Sequence, residues 1–388
     1  GVLLSVSSLP SKYGIGCFDQ AAYDFVDWLE KAGQKYWQIL PLGVTSYGGS
    51  FDSPYQACSA FAGNPYFIDL EALIAEGVLS NAECDSVFFG DEEDDINYAA
   101  LYDGRKILLT MAYERSRISE NPEYQKFTAD NGWWLEDYAL FMSVRVYFEN
   151  RSQTEWPDDI RMHYAPALDY YREKLYFDVE FHKYLQYKFS QQWTRLKKYA
   201  NDKDIQIVGD IPIYVSPDGA DVWANPELFE LDEQNLPDRI AGCPPDSFNA
   251  DGQVWGNPLY DWDYMKKTGY TWWKNYLGYA LKRFDIVRID HFRGFESFFT
   301  IPFGDTDAKG GKWRKGPDVD LFNAFKYEFG EHLPIIAEDL GVITPAVRKM
   351  LSHTKFPGMK VLQFAFSGNS DNSYLPHNIT KNSVVYTR

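Results

Sequence analysis

Apolar residues along this chain fall in short blocks, separated by longer stretches in which they recur at helical spacing. Seven blocks read as strands: Val2–Val6, Tyr36–Leu42, Ile205–Val215, Asp285–Asp290, Pro334–Glu338, Lys360–Phe366 and Ser383–Thr387. Between them the period changes. Asp19 is placed to cap a helix whose Ala22, Phe25, Leu29 and Ala32 share one face and which stops at Gly33. Phe181, Leu185, Trp193 and Leu196 mark a second, long amphipathic helix, and Thr344-Pro345 starts a third with proline in its first turn. Short apolar runs alternating with helical patterns are the mark of βα units around a parallel sheet.

The pattern therefore predicts an α/β fold, a (β/α)8 TIM barrel with large helical insertions that ends here after its seventh strand. A chain of 388 residues suits one such barrel. Residues 1–45 supply strands one and two. Residues 46–178 form a largely helical insertion, whose acidic run Asp91-Glu-Glu-Asp-Asp95 reads as a solvated loop. Residues 179–388 carry strands three to seven, with an active-site loop at about 222–258. Within that loop, Arg239 to Pro258 is so rich in Gly, Pro and Asn that it reads as one long irregular connection before a helix near Trp272–Phe284. Gly1 falls almost directly on a strand, and an open barrel would leave strand seven as an apolar edge. The expectation is that native sequence continues beyond Arg388.

Composition narrows the partners. With 45% hydrophobic and 24% charged residues the chain can bury a large core. A net charge of −18 argues against nucleic acid and anionic membranes, whose binding surfaces are basic, and no apolar run approaches a membrane span. Cys17, Cys58, Cys84 and Cys243 are far apart and show no CxxC spacing. They read as thiols in a reducing cytoplasm, not a zinc or disulfide framework. The histidines do not cluster, and Tyr13-Gly-Ile-Gly16 lacks a full glycine-rich fingerprint, so neither metal nor cofactor is called for. Aromatic residues make up 17%, which suits stacking on sugars, although large α/β cores use aromatics too. Oligomeric state is left open.

The chemistry concentrates at strand tips, where a TIM barrel builds its active face. Phe284-Asp-Ile-Val-Arg-Ile-Asp-His-Phe-Arg293 ends a strand on Asp290, with Arg288 two residues earlier. Side chains two apart on a strand share a face, so Arg288 can hold Asp290 ionised. Leu333-Pro-Ile-Ile-Ala-Glu-Asp-Leu-Gly341 ends a buried strand on Glu338 and Asp339, and Gly209-Asp-Ile-Pro212 places Asp210 at another tip. One such acid alone is most simply a salt-bridged rim residue. One ionised carboxylate paired with one that can stay protonated is what retaining glycosidic-bond chemistry requires. Tyr47 and Tyr55, in the segment after strand two, are either sugar platforms or loop packing. Phe248 and Trp255 lie in the 239–258 segment, where idle exposure of large rings is unfavourable, so they are expected to cover substrate.

These motifs resemble the 4-α-glucanotransferases of glycoside hydrolase family 77, the amylomaltases or disproportionating enzymes. The resemblance runs through essentially the whole chain. Its most specific pieces are Asp52-Ser-Pro-Tyr-Gln56, Trp134-Leu-Glu-Asp-Tyr-Ala-Leu-Phe141, Gly209-Asp-Ile-Pro-Ile-Tyr-Val215, Pro244-Pro-Asp through Gly256-Asn-Pro258, Arg288-Ile-Asp-His-Phe-Arg-Gly294 and Ala337-Glu-Asp-Leu-Gly341. The resemblance implies transfer of an α-1,4-glucan segment to an acceptor 4-hydroxyl by double displacement. It implies that Asp290 is the nucleophile and Glu338 the general acid/base. Arg288, Asp210 and His291 would support the sugar in the cleavage subsite. Asp246, Phe248 and Trp255 would serve the acceptor side, Asn257 would bind substrate, and Tyr47 and Tyr55 would line the glucan groove. Two departures stand out: Gly49-Ser-Phe51 intervenes after Tyr47-Gly48, and the family's third carboxylate would lie just beyond Arg388. The alternatives are an α-amylase-type hydrolase and a silent glucan-binding protein.

Overall fold

The structure, a computed structural model, describes residues 1–45, 52–91, 95–246, 249–366 and 368–387. Among them are eleven strands: β1 (Val2–Leu3), β2 (Tyr36–Gln38), β3 (Gln206–Ile211), β4 (Arg239–Cys243), β5 (Gln253–Pro258), β6 (Ile286–Ile289), β7 (Ser297–Pro302), β8 (Lys312–Lys315), β9 (Ile335–Ala337), β10 (Gly358–Val361) and β11 (Ser383–Tyr386). The chain forms two compact units, Gly1–Ile207 with Val215–Pro226, and Val208–Tyr214 with Glu227–Arg388.

In the first unit β1 and β2 pair in parallel, Val2 opposite Trp37. The remainder of this unit is chiefly helical. The helix Gln20–Lys31 begins as read, with the Asp19 carboxylate accepting the Ala21 N–H, and it buries Ala22, Val26 and Leu29. The long helix Tyr176–Asp202 buries Phe181, Leu185, Trp193 and Leu196. It also buries Gln186 and Gln192, which sequence reasoning passed over. Each glutamine amide pairs with both backbone groups of one residue in an irregular segment: Gln186 with Gly63 at 2.7 and 2.8 Å, and Gln192 with Asp69 at 2.7 and 3.2 Å. Loop backbone buried without a strand partner must be satisfied by side chains, and these two residues do that.

In the second unit β3, β6, β9, β10 and β11 lie side by side in parallel. Val208, Ile336 and Met359 form a buried cluster from three of these strands, with Ile286, Leu340, Val384 and Tyr386 packed against it. The helices Thr271–Arg283, Val319–Phe329 and Pro345–Thr354 precede β6, β9 and β10 in turn, the βα alternation of an α/β fold. Thr344 caps the last of them through the Val347 N–H at 3.3 Å.

All seven expected strands occur in parallel pairings, in shortened form. The sixth is displaced: it begins at Gly358, opposite Ala337 and Ser383, and past Val361 the chain turns into a 3-10 helix, Leu362–Ala365.

The expectation of one long loop from Arg239 to Pro258 is wrong. Its two ends are the antiparallel strands β4 and β5, and with β7 and β8 they make a four-stranded sheet in the order β5-β4-β7-β8. The glycine that argued for a loop is there because the strands come close. A Cβ on Gly242 would lie 2.3 Å from the Gln253 carbonyl oxygen and 2.3 Å from Ile301 Cδ1. Ile240, Phe299, Ile301 and Ala308 form the apolar face behind it. Gly242→Ala is expected to lower stability by roughly 1–3 kcal/mol, the usual range for forcing a methyl into packed space. A denaturation midpoint equal to the parent's would show that β4 and β5 relax apart without cost.

Candidate active site

The strand register places the acids. Asp210 of β3 is opposite Arg288 of β6, Arg288 is opposite Ile336 of β9, and the β6–β9 ladder runs to Ile289 opposite Ala337. Side chains alternate along a strand, so Asp210, Arg288 and Asp290 share a face. Asp290 and Glu338 each follow the last paired residue of their strands. The ladder seats them both: the Asp290 N–H donates to the Ile211 carbonyl at 2.9 Å, and the Glu338 N–H to the Ile289 carbonyl at 3.1 Å.

Arg288 links this face together. Its Nη1 donates to both oxygens of Asp210 at 2.6 and 2.7 Å, its Nη2 to Asp290 Oδ1 at 2.7 Å, and its Nε to the Met359 sulfur at 3.2 Å. Asp210 and Arg288 are buried, while the Asp290 side chain keeps a third of its surface. Charge-assisted bonds of this kind stabilise the ionised form of a carboxylate.

Glu338 is treated differently. It is buried, and burial followed by the nearby Asp290 charge raises its pKa from 4.5 to about 7. The Leu340 N–H on Oε1 (2.7 Å), the Arg288 charge and the His291 N–H on Oε2 (2.9 Å) oppose that rise. One carboxylate is thus bonded to a cation and the other favours its proton, the asymmetry that acid/base assignment needs.

His291 reaches Glu338 through its backbone because it sits in the left-handed region, φ 51°. Its imidazole is driven down to about 4, chiefly by burial, with Asp290 opposing and Arg293 assisting the shift. It is therefore neutral at physiological pH. The ring meets Trp255 of β5 edge to face at 4.9 Å, and its Nε2 has no hydrogen-bond partner among the described residues.

Of the residues singled out from sequence, the structure brings Asp210, Arg288, Asp290, His291, Glu338 and Trp255 together. Asn257 is buried on β5. Asp246 is exposed in the connection between β4 and β5, where its Oδ1 accepts the Asn249 N–H at 2.8 Å. Tyr55 is half-buried in the first unit, its N–H donating to Ser53 Oγ. Tyr47 and Phe248 lie outside the described residues.

Asp339, considered as a strand-tip acid, is occupied structurally: Oδ1 accepts the Met359 N–H at 2.6 Å, and Oδ2 accepts Lys360 Nζ at 3.3 Å. Sequence reading missed Arg293, although it stands in the same motif. Its guanidinium lies 3.9 Å from the Trp313 ring centre and donates to the Val342 carbonyl and Ser297 Oγ, which fixes the turn after Asp290. Among the described residues no cluster of His, Cys, Asp and Glu could hold a metal ion, and no helix is long and apolar enough to cross a membrane.

Comparison with known proteins places the whole chain in one family. The sequence profile of the family described as 4-alpha-glucanotransferase matches residues 4–388. The 4-alpha-glucanotransferase of Clostridium butyricum is 49% identical over 385 residues, covering 99% of this chain and 78% of that protein. That of Streptococcus pneumoniae serotype 4 is 52% identical over 389 residues, covering 100% and 76%. Among solved structures, amylomaltase from Streptococcus agalactiae in complex with acarbose superposes with a TM-score of 0.94 at 42% identity, covering 100% of this chain and 78% of that one.

The raised Glu338 value has a consequence for stability. The folded protein holds this proton more tightly than the unfolded chain does, so burial of Glu338 is tolerated fully below about pH 4.5. That tolerance is lost as pH rises through about 7, where the charged form must be buried. Glu338→Gln removes the titration. Its stability relative to the parent is expected to grow between pH 5 and pH 8, by up to roughly 3 kcal/mol. Denaturation midpoints at the two pH values check this; a difference independent of pH would overturn it.

Proposed function

The chain belongs to the 4-alpha-glucanotransferase family, glycoside hydrolase family 77, and on that premise we propose that Asp290 is the nucleophile and Glu338 the general acid/base of its reaction. The protein is an enzyme acting on α-1,4-glucans by glycosyl transfer. The observation that carries the residue assignment is the opposed treatment of two carboxylates on adjacent strands: Asp290 bonded to Arg288, Glu338 buried beside Asp290 and pushed up to about 7.

In the first half-reaction Glu338 delivers its proton to the glycosidic oxygen while Asp290 attacks the anomeric carbon. Arg288 occupies Oδ1 of Asp290, so attack falls to Oδ2. The product is a glucan held as an ester of Asp290. In the second half-reaction Glu338, now ionised, takes the proton of an acceptor 4-hydroxyl, and that oxygen displaces the aspartate. The binding of acarbose by the Streptococcus agalactiae amylomaltase supports an α-glucan in such a site.

The neutral imidazole of His291 is suited to a sugar hydroxyl, because it offers a hydrogen bond without a charge to desolvate. Trp255, together with Phe248, Asp246 and Asn257, is assigned to the acceptor glucan. Transfer outcompetes hydrolysis when the acceptor side binds sugar and excludes water, and apolar rings serve both ends. Tyr47 and Tyr55 are assigned to further glucan units. Four free cysteines, three of them buried, favour a reducing cytoplasm.

Two measurements test the assignment. Asp290→Asn is expected to lower maltotriose disproportionation roughly 1,000-fold or more, since no covalent intermediate can form. Near-parental transfer by that variant would sink the assignment, and rising reducing ends without a ladder of longer maltooligosaccharides would identify a hydrolase. Formation of the glycosyl–enzyme, followed in single turnover, should fall on the alkaline side with a limb near pH 7, because Glu338 must then carry its proton. A rate that stays flat to pH 9 would remove Glu338 from the acid role.

A further inference from the structure

Arg288 makes one contact that the reaction as described leaves unused. Its Nε–H is directed at the sulfur of Met359, 3.2 Å away, in the interior of the second unit. Met359 lies on β10, the strand beside the one that delivers Glu338. Its own backbone N–H donates to Asp339 Oδ1 at 2.6 Å, and Asp339 is the residue directly after Glu338. The preceding Gly358 lets β10 approach: a Cβ there would stand 2.6 Å from Asp339 Oδ2 and push the carboxylate off the Met359 N–H.

We propose that Met359 is a positioning residue for glucan transfer: its sulfur fixes the rotation of the Arg288 guanidinium, and its backbone, held by Asp339, ties that rotation to the strand carrying Glu338. The inference rests on the assignment of Asp290 and Glu338 given above. A guanidinium is a rigid planar fork, so two carboxylates on its Nη atoms leave the third edge, Nε–H, to decide its tilt. In this apolar setting, against Val208 and Ile336, a hydrocarbon at the third edge would leave a buried donor bare. A carboxylate would bring a third negative charge into competition with Asp290 for the same cation. A thioether is a weak acceptor without charge, and it satisfies the edge while leaving the cation to Asp210 and Asp290. Asp339 is therefore a structural partner of the acid/base strand, and its carboxylate needs no place in the chemistry.

The test separates acceptor from filler, in the natural full-length protein. Met359→Leu keeps an apolar side chain of similar volume and removes the sulfur. Met359→Gln restores an acceptor oxygen at similar length and pays for it with a buried amide. With maltotriose as substrate, kcat is expected to fall about tenfold in the leucine variant, with KM within about twofold, and to recover in part in the glutamine variant. Melting temperatures should rank the other way, leucine above glutamine. Parental kcat in Met359→Leu, or kcat values that follow the melting temperatures, would overturn the proposal. If the glutamine variant does not fold, the leucine variant decides alone: lost kcat at parental melting temperature supports the role, and parental kcat ends it. Asp290→Asn, run in parallel, keeps the two levels apart. If it transfers glucan normally the active-site assignment fails; if it is dead while the Met359 variants track stability, only the positioning role fails.

Discussion

One guanidinium among three carboxylates sets the character of this site. Arg288 is buried, and a buried cation is tolerated only when its charge and its N–H groups are met. Asp210 meets it with both oxygens from β3, and Asp290 with one oxygen from the end of its own strand. Glu338, on the neighbouring strand, takes two backbone N–H groups, those of His291 and Leu340. Glu338 is driven toward its protonated form first by burial and then by the Asp290 charge, and the Arg288 charge opposes that shift without overcoming it. The asymmetry of the two carboxylates thus follows first from the burial of Glu338 and then from the Asp290 charge beside it, while Asp290 itself is bonded to the Arg288 cation.

Much of this was legible in the sequence because the relevant geometry is local. Period-two alternation puts Arg288 and Asp290 on one face whatever the rest of the chain does, and the apolar run before each acid marks it as a strand tip. Capping chemistry is equally local, and Asp19 and Thr344 start the helices they were expected to start. What escaped notice depends on partners distant in sequence. The sulfur that meets Arg288 lies 71 residues away, and nothing around Met359 signals it. The glutamines that satisfy the backbone at Gly63 and Asp69 are each 123 residues from it and read as ordinary polar positions of a helix. Gly242 was misread for a related reason: a glycine needed for close strand approach looks in sequence like a glycine needed for a turn.

The left-handed conformation of His291 was also not read from the sequence: histidine is over-represented at positive φ, but too weakly for one residue to signal a reversal. Its effect is specific. An extended residue after Asp290 would continue the strand; the reversal at His291 starts the short helix Phe292–Phe295 and sends its N–H back toward Glu338. Arg293 then anchors that turn through Trp313, Val342 and Ser297. A conformation that costs of order 1 kcal/mol for a non-glycine residue is held by the packing around it, a common arrangement where a site must be rigid.

A site for an uncharged polymer faces a particular electrostatic demand. The substrate brings no charge to offset buried ones, so the protein must settle its own accounts before binding. Arg288 is compensated by two aspartates, His291 is neutral, and Glu338 holds a proton below about pH 7. In the proposed reaction, positive charge develops at the anomeric carbon as the glycosidic bond breaks, and Asp290 is the carboxylate assigned to receive it. The weak, uncharged contact of Arg288 with Met359, compared with its strong contacts to Asp210, leaves the share owed to Asp290 undiluted by a further acid. The site is thus organised around one cation shared between two aspartates, with Glu338 and His291 beside it in their neutral forms.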